Sequence, residues 1–425
     1  MKYRARVADE VLDEVLPHLG AVAIEGAKAV GKTATAARRA GSVLRLDEPA
    51  QAEALRANPD LITTLEPPLL IDEWQLVPQV WDQVRRAVDA NPAGGRFLLT
   101  GSAQPPDTAR LHSGAGRIVR LMLRPLSLAE RGLCSPTVSL RALVNGTEGP
   151  ISGTSPVTLS SYTDEVLASG FPGIRDLPDR PRGLQLDSYL DRIIDRDLPA
   201  TGVTVRHTAA LRGWLAAYAA ATSTTADYTT ILNAATPGES DKPARQTVAH
   251  YRDHLLRLFV LDPVDAWQPA FAPLARLTVS AKRHLVDPAL AARLVGVGKA
   301  GLLTGGGARP STVTGTWLGA LFESLATQSV RIYADAIGDG ARVGHLRTKN
   351  SLHEIDLIVH RPDLTCVPIE IKLAPTVSDH DVRHLNWLRT QLGDRVTDRV
   401  VLTTGPHAYR RPDGVAVVPL ALLGP

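Results

Sequence analysis

Length, composition and charge limit what the chain can be. It has 425 residues, of which 44% are apolar and 21% charged, and its formal net charge is only +3. These values describe an ordinary globular protein with room for about three domains, and they exclude a fibrous or disordered chain. Cys134 and Cys366 lie far apart without a CxxC partner, which argues against a disulfide framework or a zinc site.

The sequence pattern does not predict a membrane segment. Residues 1–19 mix Lys, Arg, Asp and Glu in an amphipathic pattern and lack the apolar core of a signal peptide. Uninterrupted apolar runs all fall short of the roughly 18 residues that a membrane helix needs. We therefore expect a cytoplasmic protein without membrane contact.

Short apolar strands alternate with helices over the first 125 residues. Helical spacing predicts helices at 7–19, 34–40, 51–57 and 77–90, and apolar runs predict strands at 21–25, 42–46, 69–71, 97–100 and 118–123. This alternation is typical of βαβ units around a parallel sheet. We therefore predict an α/β fold for this part of the chain.

A phosphate-binding loop follows the first predicted strand. The pattern G-x-x-x-x-G-K-[ST] is matched by Gly26, Ala27, Lys28, Ala29, Val30, Gly31, Lys32 and Thr33. Backbone N–H groups of such a loop point at phosphate oxygens, and the helix that begins there adds the positive end of its dipole. Lys32 would supply charge for the β- and γ-phosphates, and the Thr33 hydroxyl would ligate Mg²⁺. The loop thus predicts ATP and Mg²⁺ as ligands.

The acidic half of the site is predicted at the tip of a neighbouring strand. Asp72 and Glu73 follow the apolar residues 69–71, which bury that strand. Asp72 would hold Mg²⁺ through water, and Glu73 would polarise the attacking water, which separates hydrolysis from simple binding. Lys32 and Glu73 are therefore the predicted catalytic residues.

Polar and basic side chains beyond the next strand are candidates for contacting the γ-phosphate. After the strand at 97–100, either Thr100 or Ser102 would act as a sensor, unless the segment is a plain strand-end turn. Arg117 and Arg120 are candidates for neutralising transition-state charge, with a surface role as the alternative.

These motifs and three later ones resemble the bacterial and archaeal AAA-type ATPases that carry a C-terminal DUF4143 region. The later motifs are Arg124-Pro125-Leu126-Ser127-Leu128-Ala129-Glu130, Ser169-Gly170-Phe171-Pro172 and the run from Tyr189 to Asp197. The likeness covers essentially the whole chain. Ser102 stands where many AAA proteins have Asn, a departure that is typical of this subfamily.

The helices between residues 209 and 257 are spaced like a winged helix-turn-helix. The third of them carries polar and basic residues among apolar ones: Arg245, Gln246, Thr247, His250 and Arg252. Such a recognition helix can enter the major groove of DNA. The same three-helix unit also serves as a lid or protein-docking module in ATPases, and the sequence leaves both interpretations open.

Acidic residues recur in the predicted elements of the C-terminal part. Glu370 and Lys372 share one face of a strand because side chains alternate, Asp356 lies on the preceding strand, and Glu323 lies on a helix. This order resembles the metal site of PD-(D/E)XK nucleases, where carboxylates hold Mg²⁺ and the lysine orients the nucleophile. The resemblance implies a second metal site at Glu323, Asp356 and Glu370. The alternatives are a nuclease-like fold that does not cut and an ordinary α/β domain with charged edges.

We predict three parts: a P-loop ATPase domain over 1–180, a winged-helix-like helical region over 181–265 and a nuclease-like α/β domain over 266–425. The leading function is Mg²⁺-dependent ATP hydrolysis coupled to handling of DNA or RNA. The alternative is a nucleotide-operated switch or scaffold for protein partners with a silent C-terminal domain. A metabolite kinase is a third option, but the sequence has no acceptor-pocket signature. A protein partner or a homo-oligomer is compatible with this sequence.

Overall fold

Two α/β parts are joined by a helical region in the computed structural model, which describes residues 3–103, 114–201, 207–235, 245–269, 280–349 and 352–425. This architecture confirms the predicted α/β class. Over the described ranges, no helix is both long and apolar enough to cross a bilayer.

The N-terminal part contains a parallel sheet. Its strands are β1 (Ala21–Glu25), β2 (Ser42–Arg45), β3 (Leu69–Asp72), β4 (Phe97–Gly101) and β5 (Ile118–Met122). The helices around it are α1 (Val7–Val15), α2 (Lys32–Ala37), α3 (Pro49–Ala57), α4 (Leu61–Thr64) and α5 (Gln79–Ala90). The strand order is β2-β3-β4-β1-β5. Ligands of such sheets bind beyond the carboxyl ends of the strands. At this edge β1 ends in Glu25, β3 ends in Asp72, and β4 carries Thr100 next to its last residue.

The central strands β1, β3 and β4 are short apolar runs because both faces of the sheet are covered there. One face packs on the side chains of Trp74 and Trp81 and the apolar stripe of α5. The opposite face, which includes Val22 and Leu98, belongs to a buried cluster that continues through the helical region into the C-terminal part. The parts of the chain therefore share one core.

The helical region follows two short strands, β6 (Val138–Ser139) and β7 (Gly153–Thr154), with α6 (Leu140–Asn145) between them. Its helices are α7 (Leu159–Ala168), α8 (Pro172–Arg175), α9 (Asp179–Arg192), α10 (Leu198–Ala200), α11 (Thr208–Ala220), α12 (Tyr228–Ala235), α13 (Arg245–Arg257), α14 (Pro288–Val295) and α15 (Lys299–Leu302). A π-helical turn, Ile193–Asp197, connects α9 to α10. Because α14 packs against α11, the helical layer includes residues well beyond 265.

The C-terminal part is a mixed sheet with two long helices. After the hairpin β8 (Leu303–Thr304) and β9 (Arg309–Pro310), its elements are α16 (Gly315–Ile337), β10 (Arg342–Arg347), β11 (Glu354–His360), β12 (Cys366–Lys372), α17 (Asp379–Leu392), β13 (Val400–Thr403), β14 (His407–Arg410), β15 (Ala416–Pro419) and β16 (Leu423–Gly424). The strand order is β10-β11-β12-β13-β15-β14-β7. The edge strand β7 comes from the segment before the helical region, so the chain is interwoven.

Candidate functional site

The P-loop has backbone conformations that require its glycines. Gly26 has a φ of +149°, and a Cβ there would lie 2.1 Å from the carbonyl oxygen of Leu123. Gly31 has a φ of +101° and is the N-cap of α2, in the left-handed region that favours glycine. The loop therefore turns tightly from β1 into α2, with the N-terminus of that helix facing the loop.

Lys32 is buried inside this loop. Its side chain is 6% exposed, and its Nζ donates to the carbonyl oxygens of Gly26 and Ala27, both at 2.8 Å. Burial lowers the pKa of Lys32 to about 8, and the nearby carboxylates of Glu73 and Asp72 oppose that shift. The ammonium is thus fixed in the loop and remains largely protonated at neutral pH.

Asp72 lies beside the hydroxyl of Thr33. The Thr33 Oγ1 donates to Oδ1 of Asp72 at 2.8 Å, and the buried Thr100 hydroxyl donates to the same oxygen. A hydroxyl and a carboxylate side by side provide the hard oxygen donors that Mg²⁺ prefers. The residues predicted to hold Mg²⁺ therefore fit this ion. Thr100, one of the two candidate sensors, donates to the carboxylate of Asp72, and a contact of Thr100 with the γ-phosphate stays a prediction.

Glu73 is held by two polar side chains at the ends of β3 and β4. The Ser102 hydroxyl donates to Oε2 of Glu73 at 3.1 Å, and the side-chain amide of Gln75 donates to the same oxygen. The backbone of Glu73 is left-handed, with φ of +53°, which turns its side chain out of the strand register. Gln75 could not be predicted from the sequence, because a single Gln after an acidic pair belongs to no recognised motif. Ser102 contacts the carboxylate that is the predicted base.

Arg6 braces the back of the P-loop. Its guanidinium donates to the carbonyl oxygen of Val30 at 2.8 Å and to that of Arg124 at 2.6 Å, and its Nε lies 3.0 Å from Oε1 of Glu130. Glu130 also accepts the Ser127 amide through Oε2. The motif from Arg124 to Glu130 is therefore part of the support of the loop. Arg6 lies before any recognisable motif and could not be found from the sequence.

The two arginines considered for transition-state charge lie at the edge strand. Arg117 pairs with Asp89 of α5 at 2.7 Å, and Arg120 lies 3.4 Å from Glu25 with its side chain half exposed. Arg117 thus has an exposed partner on α5, whereas the partner of Arg120 is buried at the end of β1, directly before the P-loop. A transition-state role for either arginine stays a prediction.

The acidic residues of the C-terminal part meet a lysine that was not predicted. Nζ of Lys282 lies 2.8 Å from Oε1 of Glu323 and 2.9 Å from Oδ1 of Asp356, and its side chain is only 1% exposed. Lys372 pairs with Oε1 of Glu370 at 2.8 Å. Lys282 lies between Ala281 and Arg283, and a lysine in a Lys-poor chain is the one sequence signal for it.

Burial and mutual repulsion shape the charges of this cluster. Burial and the carboxylate of Asp356 raise the pKa of Glu323 and of Glu370 to about 8. Burial would also raise the pKa of Asp356, but the ammonium of Lys282 holds it below its usual value. Within the ranges that the structure describes, no group of three His, Cys, Asp or Glu side chains is placed to hold a metal ion. Metal binding by Glu323, Asp356 and Glu370 therefore stays a prediction.

The predicted recognition helix is α13. Gln246, Thr247 and His250 are exposed along it, whereas Arg252 lies over the ring of Tyr228 and pairs with Asp253. The side chain of Arg245 lies outside the described residues. After α13, antiparallel bridges join Leu261 to Leu285 and Val264 to Lys282. The exposed polar residues leave both the DNA-reading and the docking interpretation open.

Comparison with family models assigns three segments of the chain. Residues 19–131 match an AAA domain, residues 159–301 match DUF8612, a domain of unknown function, and residues 318–423 match DUF4143, also a domain of unknown function. A search of curated proteins gave no match.

Two solved structures are similar at low identity. The Walker-type ATPase PABY2304 of Pyrococcus abyssi is 14% identical, covering 67% of this chain and 94% of that chain, with a TM-score of 0.39. The replication initiator DnaA bound to AMPPCP and single-stranded DNA is 16% identical, covering 60% and 88%, with a TM-score of 0.24. The assignment of the chain rests on the family matches: it carries an AAA domain at residues 19–131 and a DUF4143 domain at residues 318–423.

Proposed function

We propose that the chain binds ATP together with Mg²⁺ and hydrolyses it. The observation that carries this proposal is the meeting of Lys32, Thr33, Asp72 and Glu73 at one edge of the parallel sheet. The match to an AAA domain over the same residues supports it. A P-loop alone accounts for nucleotide binding, whereas hydrolysis also needs the second carboxylate, Glu73.

The roles follow from the contacts. Lys32 holds the β- and γ-phosphates with a fixed charge, and the amides of the loop surround them. Thr33 and Asp72 would hold Mg²⁺, which supplies neutralisation of the phosphate charge. Because the Thr100 hydroxyl donates to Asp72, the carboxylate of Asp72 is oriented before ligands bind.

Glu73 is the residue that acts on water. Its carboxylate accepts a proton as the attacking water adds to the γ-phosphate, and the bond to the β,γ-bridging oxygen breaks. Ser102 and Gln75 both contact Oε2, so they position Glu73 and leave its Oε1 for the water. These side chains are positioning residues in this scheme.

Phosphate release from ATP by the purified chain tests this proposal. We expect steady release in Mg²⁺ and loss of release when the ion is chelated by EDTA, because Thr33 and Asp72 act through the ion. ATP turnover that is equally fast in EDTA would contradict the proposed site.

A second candidate function is a nucleotide-operated switch with a silent C-terminal domain. Lys282 favours it, since its ammonium already pairs with Glu323 and Asp356 in the cluster that a nuclease would use for a metal. Against it, Oε2 of Glu370 is buried and, among the described residues, has no hydrogen-bond partner. A ligand at that oxygen would restore the nuclease interpretation.

Coupling of ATP hydrolysis to nucleic acid is the leading prediction from the sequence, and a panel of DNA and RNA forms distinguishes it from the switch. Incubation with ATP and Mg²⁺ or Mn²⁺ should leave every strand intact if the C-terminal domain is silent. Cleavage that is lost in Glu370→Gln would instead establish a nuclease. Retention of DNA with a steep dependence on salt, without cleavage, would indicate binding through phosphate contacts.

A further inference from the structure

One side of the P-loop is held by the segment that follows α9. The ammonium of Lys28 lies 2.6 Å from Oδ1 of Asp197, the last residue of the π-helical turn. The hydroxyl of Tyr189 donates to the backbone carbonyl of the same lysine at 3.3 Å. A cation of the phosphate-binding loop is thus paired with a carboxylate of the helical region.

The two partners of this pair differ in their freedom to move. The side chain of Lys28 is 50% exposed, whereas that of Asp197 is 15% exposed. Ile193 and Ile194 at the start of the π-helical turn are buried and anchor it in the core. Because the ammonium of Lys28 is half exposed, it can leave Asp197 and pair with another anion with only a small loss of free energy. Single-turn π-helices are rare and occur frequently at functional sites.

The segment beyond Asp197 reaches the predicted recognition helix. The Thr201 hydroxyl forms a hydrogen bond of 2.7 Å with Nδ1 of His254 on α13, and α10 packs against α13. A continuous set of contacts therefore leads from Lys28 through Asp197 and Thr201 to His254.

We propose that the Lys28–Asp197 pair is a latch that ATP opens. The proposal rests on the proposed function, because it requires phosphates in the P-loop. A triphosphate and the Asp197 carboxylate are both anions and compete for one ammonium. When the triphosphate binds, it draws Lys28 to itself and repels Asp197, which loosens residues 197–201, beyond the buried Ile193 and Ile194, and weakens their contact with α13.

The latch weakens ATP binding by the free energy of the contact that must break. Asp197→Asn removes the competing charge and keeps the shape of the side chain. We expect it to bind AMPPCP with Mg²⁺ about two- to fivefold more tightly, which is the range for a partly exposed ion pair. In a Lys28→Ala background, Asp197→Asn should have no effect, because its partner is gone.

Asp191→Asn is the matched control. Asp191 lies on α9, before Asp197 in the chain. Its half-exposed carboxylate pairs with Arg212 and not with the P-loop. Its substitution should leave AMPPCP affinity unchanged. Affinity that is equal to wild type or weaker in Asp197→Asn would overturn the latch.

Hydrogen exchange followed by mass spectrometry tests the release itself. In the wild-type chain, AMPPCP with Mg²⁺ should speed amide exchange at 197–201 and in α13. In Asp197→Asn, exchange at these amides should be fast without nucleotide. Slower or unchanged exchange in the wild type would contradict the proposal. Lys32→Ala distinguishes failure of the latch from failure of the proposed ATP site. If Lys32→Ala abolishes AMPPCP binding while Asp197→Asn leaves it unchanged, only the latch is wrong. If the wild-type chain does not bind AMPPCP, both the proposed ATP site and the latch are wrong.

Discussion

Glu73→Gln should slow ATP turnover by about 10²–10⁴-fold, because an amide cannot take the proton of the attacking water. Binding of Mg²⁺-ATP should remain close to wild type, since Asp72, Thr33 and Lys32 are untouched. The amide also keeps a hydrogen-bonding oxygen for Ser102, so the local structure is preserved. Steady-state phosphate release measures turnover, and calorimetry on the same samples measures binding.

Glu66→Gln provides the control for that experiment. Glu66 is an exposed carboxylate three residues before β3. Its substitution removes the same charge as Glu73→Gln, near the start of the same strand and away from the site. Its turnover should match wild type. An unchanged kcat in Glu73→Gln would show that Glu73 is only a charge at the end of a strand.

Lys282→Met should destabilise the chain by about 3–5 kcal/mol, the usual cost of removing one partner from a buried ion pair. Methionine fills much of the volume of the lysine but leaves Glu323 and Asp356 buried without their cation. Urea unfolding followed by tryptophan fluorescence measures the change, provided that both chains unfold in comparable transitions.

The control for the buried lysine is an exposed one. Lys299 pairs with Asp164 at 2.6 Å, but both side chains are about half exposed, so Lys299→Met should cost no more than about 1 kcal/mol. If Lys282→Met proved as stable as Lys299→Met, Lys282 would not be the charge that balances the carboxylate cluster.

Local pattern sufficed for most elements of the two α/β parts. The predicted strand 21–25 coincides with β1. The spacing of apolar residues over 379–392 predicts a helix, and α17 has the same bounds. In both, the apolar pattern coincides with clear ends: Gly20 and Gly26 flank β1, and a capping box at Ser378 begins α17. Where apolar periodicity, end signals and burial all indicate the same element, its type and bounds can be predicted without knowledge of the tertiary contacts.

Elements that depend on distant partners were not predicted. Residues 135–160 are rich in Ser, Thr, Gly and Pro, which predicts a loop-rich insertion or linker. Within them, Gly153–Thr154 forms an edge strand with β14, more than 250 residues away in the chain. The glycine-rich run at 304–315 predicts a flexible loop, but it overlaps the hairpin of β8 and β9. Two-residue strands have no periodicity of their own, so only their partners define them.

The candidate site divides along the same line. Lys32, Thr33, Asp72 and Glu73 follow from motifs because phosphate chemistry fixes residue types at short spacings. The side chains that support them come from elsewhere: Gln75 and Ser102 hold Glu73, and Arg6 braces the loop. These contacts arise from the packing of separate elements, and no local pattern records them.

The most direct test of the central claim is a calorimetric titration of Mg²⁺-ATP into the wild-type chain and into Lys32→Ala. We expect saturable binding by the wild type and no measurable binding by the variant, because the loop loses its fixed charge against the β- and γ-phosphates. Lys299→Ala, which removes an exposed ammonium remote from the loop, should bind like wild type. ATP affinity in Lys32→Ala equal to that of the wild type, with both chains folded, would contradict nucleotide binding at this P-loop.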